Sequence, residues 1–145
     1  MYKSILVPTD GSALADKAVE AAMEFAKSSG GKIVVLSVAE PYPFTPLYEG
    51  AAAADSSVYE ERLREIAQLN VQKVADVCKA ANVPCETTVA QSFSPSDEII
   101  KAAQHFSCDA IFMASHGRRG LNRLFLGSET QKVLAHTTLP VLVLR

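Results

Sequence analysis

Ser4-Ile5-Leu6-Val7-Pro8-Thr9 is a short, unbroken apolar run near the start of the chain. A strand with one face in water alternates polar and apolar residues. An unbroken run of this length reads instead as a strand buried on both faces of a parallel sheet. The neighbouring residues agree. Ser12 can cap a helix whose apolar positions Leu14, Ala18, Ala21, Ala22 and Phe25 recur at helical spacing until Gly30-Gly31 stops it. Lys32 to Val38 is a second β-branched run and reads as another interior strand.

The alternation continues to the end of the chain. Glu40 to Ser56 carries three prolines, three aromatics and a run of alanines without sustained periodicity, and is expected to be a long functional loop. Ser57-x-x-Glu60 has the pattern of a capping box, and Leu63, Ile66, Asn70, Val74, Cys78 and Ala81 then trace one helix face, ended by Asn82-Val83-Pro84. Cys85 to Ala90, with Thr87 and Thr88 side by side, alternates more than the other strands and is expected at or near a sheet edge. Ser94 as N-cap, Pro95 in the first turn and Asp97 at the positive helix end open a third helix through Ile99, Ile100, Ala103 and Phe106. Ala110 to Ala114 is the fourth strand, a helix spans about Gly127 to His136, and Val141 to Leu144 is the last strand. Strands joined one by one through helices require right-handed crossovers and a parallel sheet covered on both faces.

Composition narrows the function classes. The 145 residues suffice for one well-buried core and are too few for two ordinary domains, so residues 1–145 are expected to form one unit. Fourteen basic against sixteen acidic residues leave a net charge of −2, which supplies no global field for nucleic acid or an anionic membrane; phosphate recognition must be local. Cys78, Cys85 and Cys108 are odd in number and lack CxxC spacing, which fits free buried thiols in a reducing compartment. With no signal-peptide pattern and no apolar run of membrane-spanning length, a cytoplasmic protein is expected.

The stretch that bears on chemistry is Ala114-Ser115-His116-Gly117-Arg118-Arg119-Gly120-Leu121-Asn122-Arg123-Leu124-Phe125-Leu126-Gly127-Ser128. Gly117 follows the carboxyl end of a strand, where bare backbone N–H groups can approach a phosphate. Gly127-Ser128 opens a helix whose amino end is partly positive, so the two ends together can cradle an anion. Arg118, Arg119 and Arg123 lie between them. A guanidinium can pair bidentately with phosphate oxygens, although any single loop arginine is more often a solvated charge.

This stretch resembles the ATP-binding signature of the universal stress protein family: glycine, two residues, glycine, nine residues, then glycine with a hydroxyl residue. Gly117, the nine residues Arg118 to Leu126, and Gly127-Ser128 fit it. Val7 to Ser12 and Leu139 to Leu144 are similar to the family's first and last strands, so the resemblance covers essentially the whole chain. It implies a single-domain, Rossmann-like α/β fold of the adenine nucleotide alpha hydrolase type. Its five-stranded parallel sheet would run in the order 3-2-1-4-5, with helices on both faces. It also implies an ATP-binding regulatory protein of the cellular stress response. The residues it points to are Pro8, Thr9, Asp10, the backbone of Val38, Ala114, Ser115, His116, Gly117, Arg118, Arg119, Gly120, Arg123, Gly127, Ser128, Glu129 and Thr130, with Mg²⁺ held through water by Asp10 and Ser128. A homodimer through the last strand (Val141, Leu142, Val143) is implied as well.

One position departs from the signature: Ala114 stands where its first glycine belongs. If that site needs a left-handed backbone, alanine costs roughly 1–2 kcal/mol, about a tenfold loss of affinity or somewhat more. If the glycine gives only clearance, one methyl is tolerated. Other residues keep two readings as well. Asp10 can be a ribose or metal contact and a turn residue bonding its own backbone before Gly11, and the two readings are compatible. Ser128 serves phosphate and Mg²⁺, or satisfies the first N–H groups of the last helix. His116 lacks a carboxylate near it in sequence to orient it, and His105 and His136 lie near helix ends, where the dipole explains them.

Two alternatives stand beside a nucleotide-binding regulator. Slow ATP hydrolysis is limited to a feeble rate, since the chain has neither a P-loop lysine nor an evident base to position water. A dimeric interaction module that has lost nucleotide binding would account for Ala114. A phosphoacceptor receiver domain fits less well, because the first strand lacks a following acidic pair and the third ends without an Asp.

Overall fold

The computed structural model describes residues 1–41, 52–117 and 126–145. The elements follow the order β1 (Ser4–Pro8), α1 (Ala13–Ser29), β2 (Lys32–Ala39), α2 (Ala52–Ala80), β3 (Cys85–Gln91), α3 (Pro95–His105), β4 (Ala110–Ala114), α4 (Ser128–His136) and β5 (Val141–Leu144). All four strand pairings are parallel. The five strands lie in the order β3-β2-β1-β4-β5, as the family resemblance implies.

Strand position explains burial. Ile5, Leu6 and Val7 in β1 and Ile33 to Leu36 in β2 are at most 1% exposed, because each strand has a neighbour on either side and helices above and below. Successive residues feed opposite faces. Ile5, Val7, Ile33 and Val35 join Ala18, Ala22, Val71 and Val74 beneath α1 and α2. Leu6, Val34, Leu36, Ile111 and Met113 join Ile99, Ala103 and Val133 beneath α3 and α4. Each buried Val, Leu, Ile or Met among them contributes roughly 1.5–3 kcal/mol, so the sheet centre anchors everything attached to its ends. β3, the edge strand next to β2, is only partly buried, as its alternation suggests.

Helix ends follow local chemistry. Ser12 caps α1 by accepting from the Ala15 N–H at 3.2 Å, and Gly30, at φ 65°, closes it in the left-handed conformation. α2 ends before Asn82, which takes φ 57°.

Two expectations for α2 need correction. The helix begins at Ala52, so Ser57 and Glu60 lie inside it rather than forming a capping box, and the expected loop from Glu40 to Ser56 loses its last five residues to the helix. The alanine run explains this: alanine is the best helix former and needs no periodicity. The rest of that loop, residues 42–51, lies outside the described residues. The buried seam also differs. Ala67, Val71, Val74 and Cys78 are buried while Ile66 is 43% exposed, because a close helix–sheet approach selects the small alanine rather than the larger neighbour.

Candidate functional site

β1, β2 and β4 are parallel, so their carboxyl ends open on the same side of the sheet, and β1 and β4 are adjacent. The chain leaves β1 toward α1 and leaves β4 toward α4, which cover opposite faces. A crevice outside the strand ends forms where the connections diverge in this way.

The β1 end is a tight turn. The Thr9 N–H donates to the Leu36 carbonyl at 2.8 Å, and Thr9 Oγ1 accepts from the Gly11 N–H at 3.1 Å. Asp10 Oδ1 accepts from the Ser12 N–H at 2.9 Å, and Gly11 supplies the φ of 79° that the turn requires. The self-bonding reading of Asp10 is therefore correct for Oδ1. Oδ2 points elsewhere: a Cβ built on Gly117 would lie 3.1 Å from it. The ends of β1 and β4 thus approach each other at Asp10 and Gly117.

The β4 end meets the start of α4. The Gly127 N–H donates to the Ser115 carbonyl at 2.7 Å. A Cβ on Gly127 would come within 3.0 Å of His116 Cα and 3.2 Å of the Ser115 carbonyl oxygen. Backbone atoms cannot yield as a flexible side-chain tip can, so only glycine fits. Thr130, buried, donates from Oγ1 to the Ala114 carbonyl at 3.0 Å and fixes the first turn of α4 to the strand end. The two glycines that bracket the basic segment are consequently held together at one crevice. Arg118, Arg119, Gly120 and Arg123 lie outside the described residues.

The first turn of α4 has no side-chain cap, since its N-cap residue is Gly127 and makes no such bond. Ser128 is the first helical residue, so the alternative in which it caps this helix does not hold. Gly127 spends its own N–H on Ser115, which leaves the amides of the following turn, from Ser128 on, to complement an anion. Glu129 is turned away from this role. Its carboxylate accepts from the Ser96 N–H at 2.8 Å, in the first turn of α3, and pairs with Lys132 at 3.1 Å. Burial pushes its pKa up, but the hydrogen bonds from Ser96 and Lys132 outweigh that and hold it below the usual 4.5. Sequence reasoning missed this contact, which joins residues 33 apart.

Ala114 is the last residue of β4 and pairs with Leu144 of β5. Among the described residues the only non-glycines at positive φ are Tyr2, Asn82 and Ser107. The left-handed penalty considered for Ala114 therefore does not arise, and only the clearance of one methyl group is at issue. Ser115 is buried, and its Oγ lies 3.1 Å from His116 Nδ1. Val38, half-buried at the far end of β2, pairs with Ala90.

These residues fit a bound nucleotide in the chemistry of their donor set: glycines where a Cβ would fill the space, a helix start without a side-chain cap, and one carboxylate opposite. Among the described residues, no group of three or more His, Cys, Asp and Glu could hold a metal ion. No helix among the described residues is long and apolar enough to cross a membrane.

Comparison with known proteins agrees with this architecture. A universal stress protein MJ0531 from Methanocaldococcus jannaschii is 30% identical over all of this chain and 83% of its own length. A universal stress protein from Thermus aquaticus is 32% identical over the whole of both chains. Among solved structures, protein MJ0577 superposes with a TM-score of 0.83 at 26% identity, covering 99% of this chain and 96% of its own. A universal stress protein in complex with cAMP (TM-score 0.72, 23% identity, covering 99% of this chain and 97% of its own) shares the fold. So does the Archaeoglobus fulgidus protein in complex with dAMP (TM-score 0.68, 17% identity, covering 99% and 98%). The family model for the universal stress protein family matches residues 1–145. A Rossmann-like sheet with this strand order, matched from end to end, makes the chain a member of the universal stress protein family.

Proposed function

We propose that this universal stress protein binds an adenine nucleotide, ATP with Mg²⁺, in the crevice between the ends of β1 and β4, and acts as a nucleotide-responsive regulator rather than as an efficient enzyme. The observation that carries this reading is the approach of Gly117 to Asp10, where a side chain at residue 117 would sit 3.1 Å from the carboxylate. That approach brings the two sides of the crevice together beside the amino end of α4. Proteins of the same fold solved with cAMP and dAMP are in keeping with it.

In this reading the amides of Gly117 and the first turn of α4 hold phosphate oxygens, and the Ser128 hydroxyl adds a donor. Asp10 holds the ribose or, through water, the metal. The backbone of Val38 meets the adenine edge, with Pro8 and Thr9 forming the floor beside it. Arg118, Arg119 and Arg123 offset the remaining phosphate charge. Mg²⁺ supplies charge neutralisation of the phosphates and keeps several of its waters, which suits a site with one carboxylate in place of a cage. The Ser115–His116 contact fixes the loop root, and no described carboxylate is bonded to His116 to make it a base. Hydrolysis, if measured, should be slow.

β5 lies at the sheet edge, with Leu142 45% exposed and Val141 and Val143 half-buried. Pairing with β5 of a second copy would satisfy this edge, and a homodimer is part of the proposal. The reading that nucleotide binding has been lost rests on Ala114, and the extended backbone there removes its motive. Calorimetry with Mg-ATP tests the function: saturable binding at submillimolar concentration is expected. An absence of heat up to millimolar nucleotide would end this reading.

A further inference from the structure

Arg145 directly follows β5, at the crevice end of the sheet. β4 and β5 run parallel with Ala114 opposite Leu144, so the register carried one step further sets Arg145 beside Ser115. Neighbouring strands lie about 4.8 Å apart, and Ser115 is where β4 meets α4. Its N–H donates to the Leu144 carbonyl at 2.7 Å, and its own carbonyl accepts from the Gly127 N–H at 2.7 Å. Two hydrogen bonds therefore tie the residue before Arg145 to the residue before α4. The face is set as well. Val141 packs against the cluster beneath α3 and α4, and Leu144 against the cluster beneath α1 and α2. Alternation along the strand then places Arg145 on the face that carries α4. Arg145 is exposed, and among the described residues its guanidinium has no ion-pair partner. Glu129, in the first turn of α4, is already engaged by the Ser96 N–H and by Lys132. An anion at the amino end of α4 would meet a cation that has no existing pair to break.

Strand order decides which part of a nucleotide this cation would meet. The proposed site puts the nucleoside at the ends of β2 and β1, by Val38 and Asp10, and the phosphates at the amino end of α4. A phosphate chain laid out in that direction runs past β4 toward β5. We propose that Arg145 binds the outermost phosphates and makes the site prefer nucleoside triphosphates to monophosphates, an inference that rests on the nucleotide reading of the crevice. A planar guanidinium pairs with two phosphate oxygens at once. It adds to the amides of α4 a charge that only the longer phosphate chain reaches.

The test is calorimetry of the full-length protein with Mg-ATP and with AMP, on wild type, Arg145→Gln and Arg145→Lys. Arg145→Gln should lose about tenfold in Mg-ATP affinity, the size of one charge-assisted contact, with AMP affinity unchanged. Arg145→Lys keeps the charge without the planar fork and should fall between. Because the side chain is exposed, the unfolding midpoints of both variants should match wild type. Equal Mg-ATP affinity in Arg145→Gln and wild type would overturn the proposal. So would a loss shared equally by AMP, or a lowered midpoint, since either would assign the effect to the strand end rather than to the outer phosphates. A wild type that binds neither nucleotide would overturn the reading of the crevice itself, and the proposal falls with it.

Discussion

α3 and α4 lie on the same face of the sheet and begin at the same end of it, yet their first turns are completed differently. α3 starts with Pro95, which has no N–H to satisfy, and the Ser96 N–H is taken by the Glu129 carboxylate. α4 starts after Gly127, which offers no side chain, and its own Glu129 accepts from the neighbouring helix. One helix start takes a carboxylate from its neighbour, and the other has no side-chain cap among the described residues. With glycine as N-cap, the amino end of α4 forgoes only roughly 0.3 kcal/mol relative to a capping side chain, and a bound anion would add favourable charge there. The contrast therefore sets apart, of two similar helix ends, the one proposed as the ligand site, something that helix propensity alone cannot do.

The largest effect should come from breaking the open end. Gly127→Val places side-chain atoms against His116 Cα and the Ser115 carbonyl. Overpacking of this kind costs roughly 1–3 kcal/mol, and Mg-ATP affinity should fall by more than tenfold. Thermal unfolding and calorimetry on one preparation read both effects, and an unchanged affinity would show that the junction is not the site.

Opening the closed end should do less. Glu129→Gln weakens the acceptor for the Ser96 N–H, at a cost of roughly 0.5–1.5 kcal/mol, and lowers the unfolding midpoint with little change in nucleotide affinity. Its pH dependence carries a sign. Because Glu129 has a folded pKa below the usual 4.5, its contribution is fully present above that value and is lost as pH falls through the folded pKa. Wild type and variant should differ in stability at neutral pH and converge in acid. A gap that persists at a pH well below the folded pKa would mean that charge is not what Glu129 contributes.

Ala114→Gly should have the smallest effect on binding. The residue is extended and paired in β4, so restoring the signature glycine removes one methyl group and relieves no backbone strain. Affinity should change by less than about threefold, while stability drops by roughly 0.5–1 kcal/mol for a glycine in a strand. A gain of tenfold or more would show that the methyl group obstructs the ligand.

Most of the fold was legible because its signals are local and strong. Ile5 to Val7 and Ile33 to Leu36 announce buried strands, and Gly30 ends α1 where a left-handed residue is needed. The start of α2 escapes a reading of the sequence because proline and aromatic residues upstream mask an alanine run that forms helix without amphipathic spacing. The bracketing glycines of the site could be found from their spacing. The roles of Glu129 and Thr130 could not, since each depends on a partner that only the folded sheet brings near: Ser96 and the Ala114 carbonyl.

The central claim is that phosphate is held by the first-turn amides of α4 opposite Asp10. Titrating isotope-labelled protein with Mg-ATP and following the backbone amide resonances tests it most directly. The account predicts saturable shifts concentrated at Gly117, Ser128 and Glu129, abolished in Gly127→Val. Shifts that saturate elsewhere on the molecule while these three amides stay still would contradict it.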